Sequence, residues 1–438
     1  MALTVAPAAA QRGGFIRDAE IEALLSDYAT PIIRAAGVGT SAVNIYLVGS
    51  TAFNAFVADG RRIFINSGVL MQADTPNEVI GVLAHETGHI AGGHLARMRL
   101  ELQNAQAMAI LGMLLGAGAM AAGAMAGDAG AGAQAGQAMM MGSQHALQRS
   151  LLSYQRGEEA AADRSAVNYL NATEQSSKGM LTTFASLADQ SFLSTKYVDP
   201  YAQSHPMPRE RIAALEKLAQ ESPYFEKQDP PQLQHRHDLA RAKLTGYLEH
   251  PSSVNRRYPP SDKSLPAVYA RTIALMQSGN YRDAMAGADA LLRVEPSNPY
   301  FWELKADLFV KSGRPRDAIG PYQKAVSMAP HPGLIRVALG GAMVAADDPS
   351  LLQQGIKQLN QGLQEEPDFA AGYRHLAIAY GKAGQVPEAE LATAQEYFTR
   401  GDYELAQRFA GRAQQGLARG SPAWLRADDI LNYKPPRS

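Results

Sequence analysis

The densest chemistry in these 438 residues is His85-Glu86-Thr87-Gly88-His89. Two histidines four positions apart on a helix lie about 40° apart around its axis, so both imidazoles leave one face. At that spacing they can take two corners of a tetrahedral Zn²⁺ site. Glu86 beside them can take a proton from a zinc-bound water. A surface helix can carry the same five residues by chance, but the flanking sequence points to a buried one. Thr75-Pro76-Asn77-Glu78 supplies an N-cap Thr, a Pro at the first helical position and a Glu three residues after the cap, the pattern of a capping box. Val79, Ile80, Val82 and Leu83 then embed the helix in a core.

Further donors follow. His94 lies five residues beyond His89, about 140° round a continuous helix, and is predicted to point away from the metal. Only a sharp break at Gly92-Gly93 would return it. Tyr154 to Arg164 opens a predicted helix running to about Leu170, on which Glu159 and Asp163 share a face. One carboxylate can complete the protein ligands of the zinc. The other can accept the N–H of a ligand histidine and set its tautomer. Ala160, Ala161 and Ala162 allow close approach of a neighbouring helix.

The elements that would position these groups are mostly helical. An apolar stripe of Ile21, Leu24, Leu25, Tyr28, Ile32 and Ile33 predicts an amphipathic helix over 15–36. Two β runs, Val43–Val48 and Phe53–Ala58, precede an Asp59-Gly60 turn and a returning run Arg62–Asn66. This small sheet comes just before the zinc helix, and Asn54, Ala55 and Phe56 are a candidate edge for pairing with a substrate strand. Residues 105–145 are dominated by Ala, Gly and Met, and Ala107–Gly127 has no charged or polar side chain. The length suffices to span a bilayer, yet glycine at this density weakens a helix. A mobile element over the site is expected, with a membrane span or a membrane-leaning, Met-rich surface as alternatives.

Residues 226–264 turn polar and Pro-rich and are expected to be a linker or docking arm around one helix, Leu239–Leu248. From 265 to 438 a 34-residue period links Gly279 to Gly313, Ala284 to Ala318 and Pro296 to Pro330. With Trp302, Ala306, Phe309, Tyr322 and Ala325 this is the tetratricopeptide pattern, whose stacked helix pairs present a surface for peptides or proteins. Pro367 follows Pro330 by 37 residues, which suggests a small insertion around Asp347-Asp348-Pro349.

Residues 1–10, with Ala8 and Ala10 ahead of Gln11, look like the tail of a secretory signal peptide and predict an exported protein. The absence of cysteine excludes thiolate metal sites and disulfides, and a formal net charge of −1 gives no sign of nucleic-acid binding. The fold class expected is mainly α: a zincin-like metalloprotease domain over 11–225, helices with a small sheet, then an all-α repeat solenoid.

Together, Asn54-Ala55-Phe56, the His85–His89 motif, Arg156 with Glu159 and Asp163, and Ser204-His205-Pro206 followed by Arg211 resemble the gluzincin endopeptidases related to HtpX and the CaaX prenyl proteases. The resemblance covers roughly residues 15–215. It implies one Zn²⁺ per chain, held by His85, His89 and Glu159, with Glu86 as general base and Asp163 and Arg211 supporting the ligands. His205 in the matching Ser-His-Pro loop would either fill the fourth zinc position at rest, the reading preferred here, or donate to the oxyanion during turnover. Similarity to the soluble, exported branch with C-terminal repeats implies quality control of misassembled outer-membrane proteins, with the repeats docking on the assembly machinery. A chaperone or scaffold with structural zinc, or a membrane-spanning protease, are the rival expectations.

Overall fold

The computed structural model describes residues 14–125, 129–193 and 200–435; the signal-peptide reading of residues 1–10 lies outside them. The described chain is mainly α and divides into two compact units. Among the described residues, one holds 14–15 and 25–237, and the other holds 16–24 and 238 onward.

β1 (Phe15–Ile16), α1 (Ala19–Ala35), β2 (Asn44–Val48), β3 (Ala55–Ala58) and β4 (Arg62–Asn66) come first, with Ile16 and Ala19–Leu24 belonging to the second unit and the rest to the first. All six predicted stripe positions of α1 are buried. The sheet order is β1-β2-β4-β3, with β2 parallel to β4 and β3 antiparallel to it, Ala55 facing Ile65. β3 is therefore an edge. Asp59 (φ 50°) and Gly60 (φ 75°) take the left-handed conformation that an Asp-Gly hairpin turn requires.

The chain continues through α2 (Ser67–Gln72) into α3 (Pro76–Gly92), the helix of the paired histidines. Its start departs from the expected capping box, since the Thr75 side chain caps no helix N–H. The Thr75 hydroxyl instead donates to Glu78 Oε1 (3.3 Å), Glu78 Oε2 accepts from the Asp74 N–H (3.2 Å), and Asp229 Oδ2 accepts from the Asn77 N–H (2.9 Å). Carboxylates outcompete a hydroxyl at the positive end of a helix, which explains the exchange.

Residues 105–145, expected as a mobile element, have helical backbone wherever they are described. α4 (His94–Met125) and α5 (Ala129–Ala172) pack on one another. Alanine, the strongest helix former, offsets the glycine penalty. Met108, Ile110, Leu111 and Leu114 are exposed on α4, and by length and composition the stretch His94–Ala121 could cross a membrane. The unit closes with α6 (Lys178–Leu193), α7 (Pro200–Ser204) and α8 (Arg209–Gln220).

Next come α9 (Pro231–Leu248) and α10 (Pro251–Arg257). The expected linker is thus largely helical, because Pro231 and Pro251 occupy first helical turns, where a missing N–H is harmless. The second unit continues as helix pairs: α11 (Leu265–Gln277) with α12 (Tyr281–Val294), α13 (Pro299–Lys311) with α14 (Pro315–Met328), and α15 (Gly333–Ala345) with α16 (Pro349–Glu365). α17 (Ala370–Lys382), α18 (Val386–Thr399), α19 (Tyr403–Gly416) and α20 (Pro422–Leu431) follow. Gly279, Gly313 and Gly384 have φ of 73–78° at the turns within pairs, and Asp347 (φ 54°) stands at the equivalent turn 34 residues after Gly313. The extra residues of the third repeat therefore lie not at Asp347-Asp348-Pro349 but inside α16, 17 residues long where α12 and α14 have 14. Within the same unit, buried Lys243 is ringed by Asp18 (2.7 Å), Glu20 (3.2 Å) and Glu303 (3.7 Å). The first turn of α1 is thereby held on the repeats.

Candidate metal centre

Four elements converge. α3 contributes His85, Glu86 and His89; α5 contributes Glu159 and Asp163; the turn after α7 contributes His205; and the first turn of α8 contributes Arg211. The α3–α5 approach depends on Gly88. A Cβ there would lie 2.9 Å from the Ala162 carbonyl oxygen and 3.1 Å from its Cα, and Ala162 is itself fully buried. Gly88→Ala is accordingly expected to push α5 off α3, destabilising the fold by about 1–3 kcal/mol and weakening metal binding. Thermal melts with and without metal measure both effects, and an unshifted melt with full metal content would refute the close-packing account.

The ligand-capable atoms of His85, His89, Glu159 and His205 all lie within 4.8 Å of one another. His85 Nε2 is 3.0 Å from His89 Nε2, 3.3 Å from Glu159 Oε2 and 3.3 Å from His205 Nδ1. Glu159 Oε1 is 3.5 Å from His89 Nε2 and 3.1 Å from His205 Nδ1. A tetrahedron with arms of about 2.05 Å has edges of about 3.3 Å, so this donor set suits a small divalent cation bound by nitrogen and oxygen.

Around these atoms lies a support layer. Asp163 Oδ1 is 2.9 Å from His85 Nδ1, too oblique for a well-formed hydrogen bond. Arg211 grips Asp163 through two bonds (2.7 and 2.8 Å), reaches Glu159 Oε2 (2.8 Å) and donates to the Pro206 carbonyl (3.0 Å). One guanidinium thus ties both carboxylates to the His205 loop. Burial works against the Glu159 charge, but His205 and His85 hold its pKa well below the usual carboxylate range. Burial likewise works against charge on His85, yet Asp163 and Glu159 carry it up to about 9. Burial and the neighbouring His85 push His89 down to about 2.

Sequence reasoning missed Tyr201. It is fully buried and its hydroxyl donates to Glu86 Oε1 at 3.2 Å, while its ring lies 4.5 Å from that of His205. Burial, then the Glu86 charge, raise its pKa well above the ordinary phenol value, so it remains a donor. Its place four residues before His205, one helical turn away, was the available signal. Glu86 Oε2, by contrast, is buried with no hydrogen-bond partner among the described residues. Asn54 precedes edge strand β3, which contains Ala55 and Phe56 and lies beside α3. His94 is outside the four-residue cluster, as expected, but it does not point away: it meets His89 from behind.

Residues 16–219 match Peptidase family M48. That stretch carries all of these residues. Over most of its length the chain is similar to the beta-barrel assembly-enhancing protease of Escherichia coli (strain K12), with 23% identity over 398 residues, covering 88% of this chain and 77% of that protein. The Yersinia pestis beta-barrel assembly-enhancing protease is 25% identical over 362 residues, 81% and 70% of the two chains. A putative one from Vibrio cholerae is 22% identical over 392 residues, 87% and 77%. A crystal structure of MamA aligns with 36% of this chain and 90% of its own at 19% identity and a TM-score of 0.30, too distant a likeness to argue from.

Proposed function

We propose that this chain is a zinc endopeptidase of the periplasm that acts in quality control and assembly of outer-membrane proteins, its helical repeats recruiting partners. The observation that carries this reading is the convergence of His85, His89, Glu159 and His205 beside a general base with a free oxygen. Similarity to the beta-barrel assembly-enhancing proteases supports the substrate class. His85, His89 and Glu159 would hold the zinc, which when bound polarises a peptide carbonyl and acidifies a water. Tyr201 holds Glu86 Oε1 in place, leaving Oε2 to accept the proton of the attacking water and hand it to the departing amine. Asn54, Ala55 and Phe56 are suited to align an extended substrate, since β3 is an edge beside α3. The exposed apolar side chains of α4 favour peripheral contact with a membrane.

The test begins by stripping the protein with a chelator. One equivalent of zinc should restore cleavage of an unfolded outer-membrane protein, while the folded barrel resists. Cleavage without metal, or equal cleavage of both forms, would overturn the proposal.

Of the two roles open to His205, the geometry favours the resting latch. Its Nδ1 stands among the ligand atoms, and its Nε2 is 3.5 Å from Glu86 Oε1. His205→Ala should therefore raise proteolysis at unchanged zinc content. As an oxyanion donor the same change would lower kcat roughly 10²–10³-fold, so the direction of the change decides between them.

A further inference from the structure

α3 ends at Gly93, whose φ of 65° breaks the helix in the left-handed region. The break turns His94 back toward α3, and its imidazole packs where a Cβ on Gly92 would stand, 2.2 Å from His94 Nε2. Arg97 closes the corner by donating to the Gly92 carbonyl. His94 is left buried, with each ring nitrogen engaged. Nε2 is 2.9 Å from Glu158 Oε2, and Nδ1 is 2.8 Å from His89 Nδ1. Arg97 also pairs with Glu158 at 2.7 Å, which keeps that carboxylate turned to the ring.

The partners decide where the protons sit. The carboxylate oxygen 2.9 Å away would repel a lone pair on His94 Nε2, so the ring carries its hydrogen there, although the contact is too oblique for a well-formed hydrogen bond. In the neutral ring Nδ1 then keeps its lone pair and accepts. The 2.8 Å contact between two Nδ1 atoms needs one hydrogen, and it must come from His89. With Nδ1–H committed behind, His89 Nε2 carries the lone pair, and Nε2 is the atom that faces His85 and Glu159.

From this juxtaposition we infer that His94 is a positioning residue: the relay Glu158–His94–His89 holds His89 as the Nδ1–H tautomer, with Nε2 ready for a metal. Asp163 stands in the corresponding place behind His85, so the two ligand histidines are served by different devices, a carboxylate for one and a carboxylate-backed imidazole for the other. The inference rests on the reading of His89 as a metal ligand. Groups that orient a ligand histidine typically affect metal affinity 10–100-fold.

The test compares zinc affinity, by chelator competition, in wild-type protein, His89→Ala, His94→Phe and His94→Asn. Phenylalanine keeps ring volume without an acceptor, while the asparagine Oδ1 can stand near the Nδ1 position. His94→Phe is expected to weaken zinc binding 10–100-fold and His94→Asn to recover most of it. In zinc-loaded wild-type protein, ¹⁵N correlation spectra should show His89 protonated on Nδ1 and His94 on Nε2. If His89→Ala leaves zinc affinity intact, the ligand reading itself fails. If His89→Ala loses zinc but His94→Phe binds it as tightly as wild type, or the spectra show a hydrogen on His94 Nδ1, the relay alone is overturned.

Discussion

Glu86→Gln is expected to abolish peptide cleavage while leaving zinc content unchanged. The loss in kcat should be on the order of 10²–10⁴, the usual contribution of a positioned general base. The substitution keeps the shape of the side chain. Its amide oxygen can still accept from Tyr201, as Glu86 Oε1 does at 3.2 Å, so neither fold nor metal site loses a contact. What disappears is the lone pair on Oε2, the buried oxygen with no hydrogen-bond partner among the described residues. The amide nitrogen that replaces it donates and cannot take a proton. Metal analysis and cleavage of an unfolded protein, run on the same samples, separate the two effects. Cleavage by the variant at the parent rate would remove Glu86 from the chemistry. A zinc-loaded parent chain that binds unfolded clients and cuts none would favour the rival reading, a chaperone or scaffold with structural zinc.

Much of this site was legible in the sequence because its parts lie at helical spacings. His85 and His89, then Glu159 and Asp163, are i, i+4 pairs, and one turn of helix places each pair on one face. The parts that were not legible depend on breaks in that periodicity. A continuous helix sends His94 away from His89, whereas the left-handed turn at Gly93 sends it back. The Gly92-Gly93 pair signals that a break is permitted, but nothing local says which way the next imidazole will face. The helical backbone described within residues 105–145 was not legible for a related reason. Glycine lowers helix propensity residue by residue, yet alanine and the packing of α4 on α5 together set the outcome. In the repeats the period itself was read correctly. The misplaced insertion arose because prolines mark the ends of helices, whereas the three added residues sit within one.

Removing Glu159 should affect the metal more than any other single carboxylate substitution. In Glu159→Ala the zinc affinity is expected to fall roughly 10²–10⁴-fold, since a site worth about 10–16 kcal/mol held by three protein ligands loses about 3–5 kcal/mol with one of them. The loss spreads beyond the metal. Glu159 also receives Arg211 Nη1 at 2.8 Å and stands 3.1 Å from His205 Nδ1, so its removal loosens the loop that carries His205. Asp163→Asn should behave differently. The asparagine can still accept from Arg211 and stay beside His85 Nδ1, so the ligand set survives and affinity falls only about 10–100-fold. The ranking of these two variants therefore distinguishes a ligand from a group that supports one. Zinc stoichiometry after dialysis against a weak chelator reads it directly: Glu159→Ala emptied and Asp163→Asn partly filled. Full zinc in Glu159→Ala, or the reverse order, would move the third ligand to Asp163 and leave Glu159 as its support.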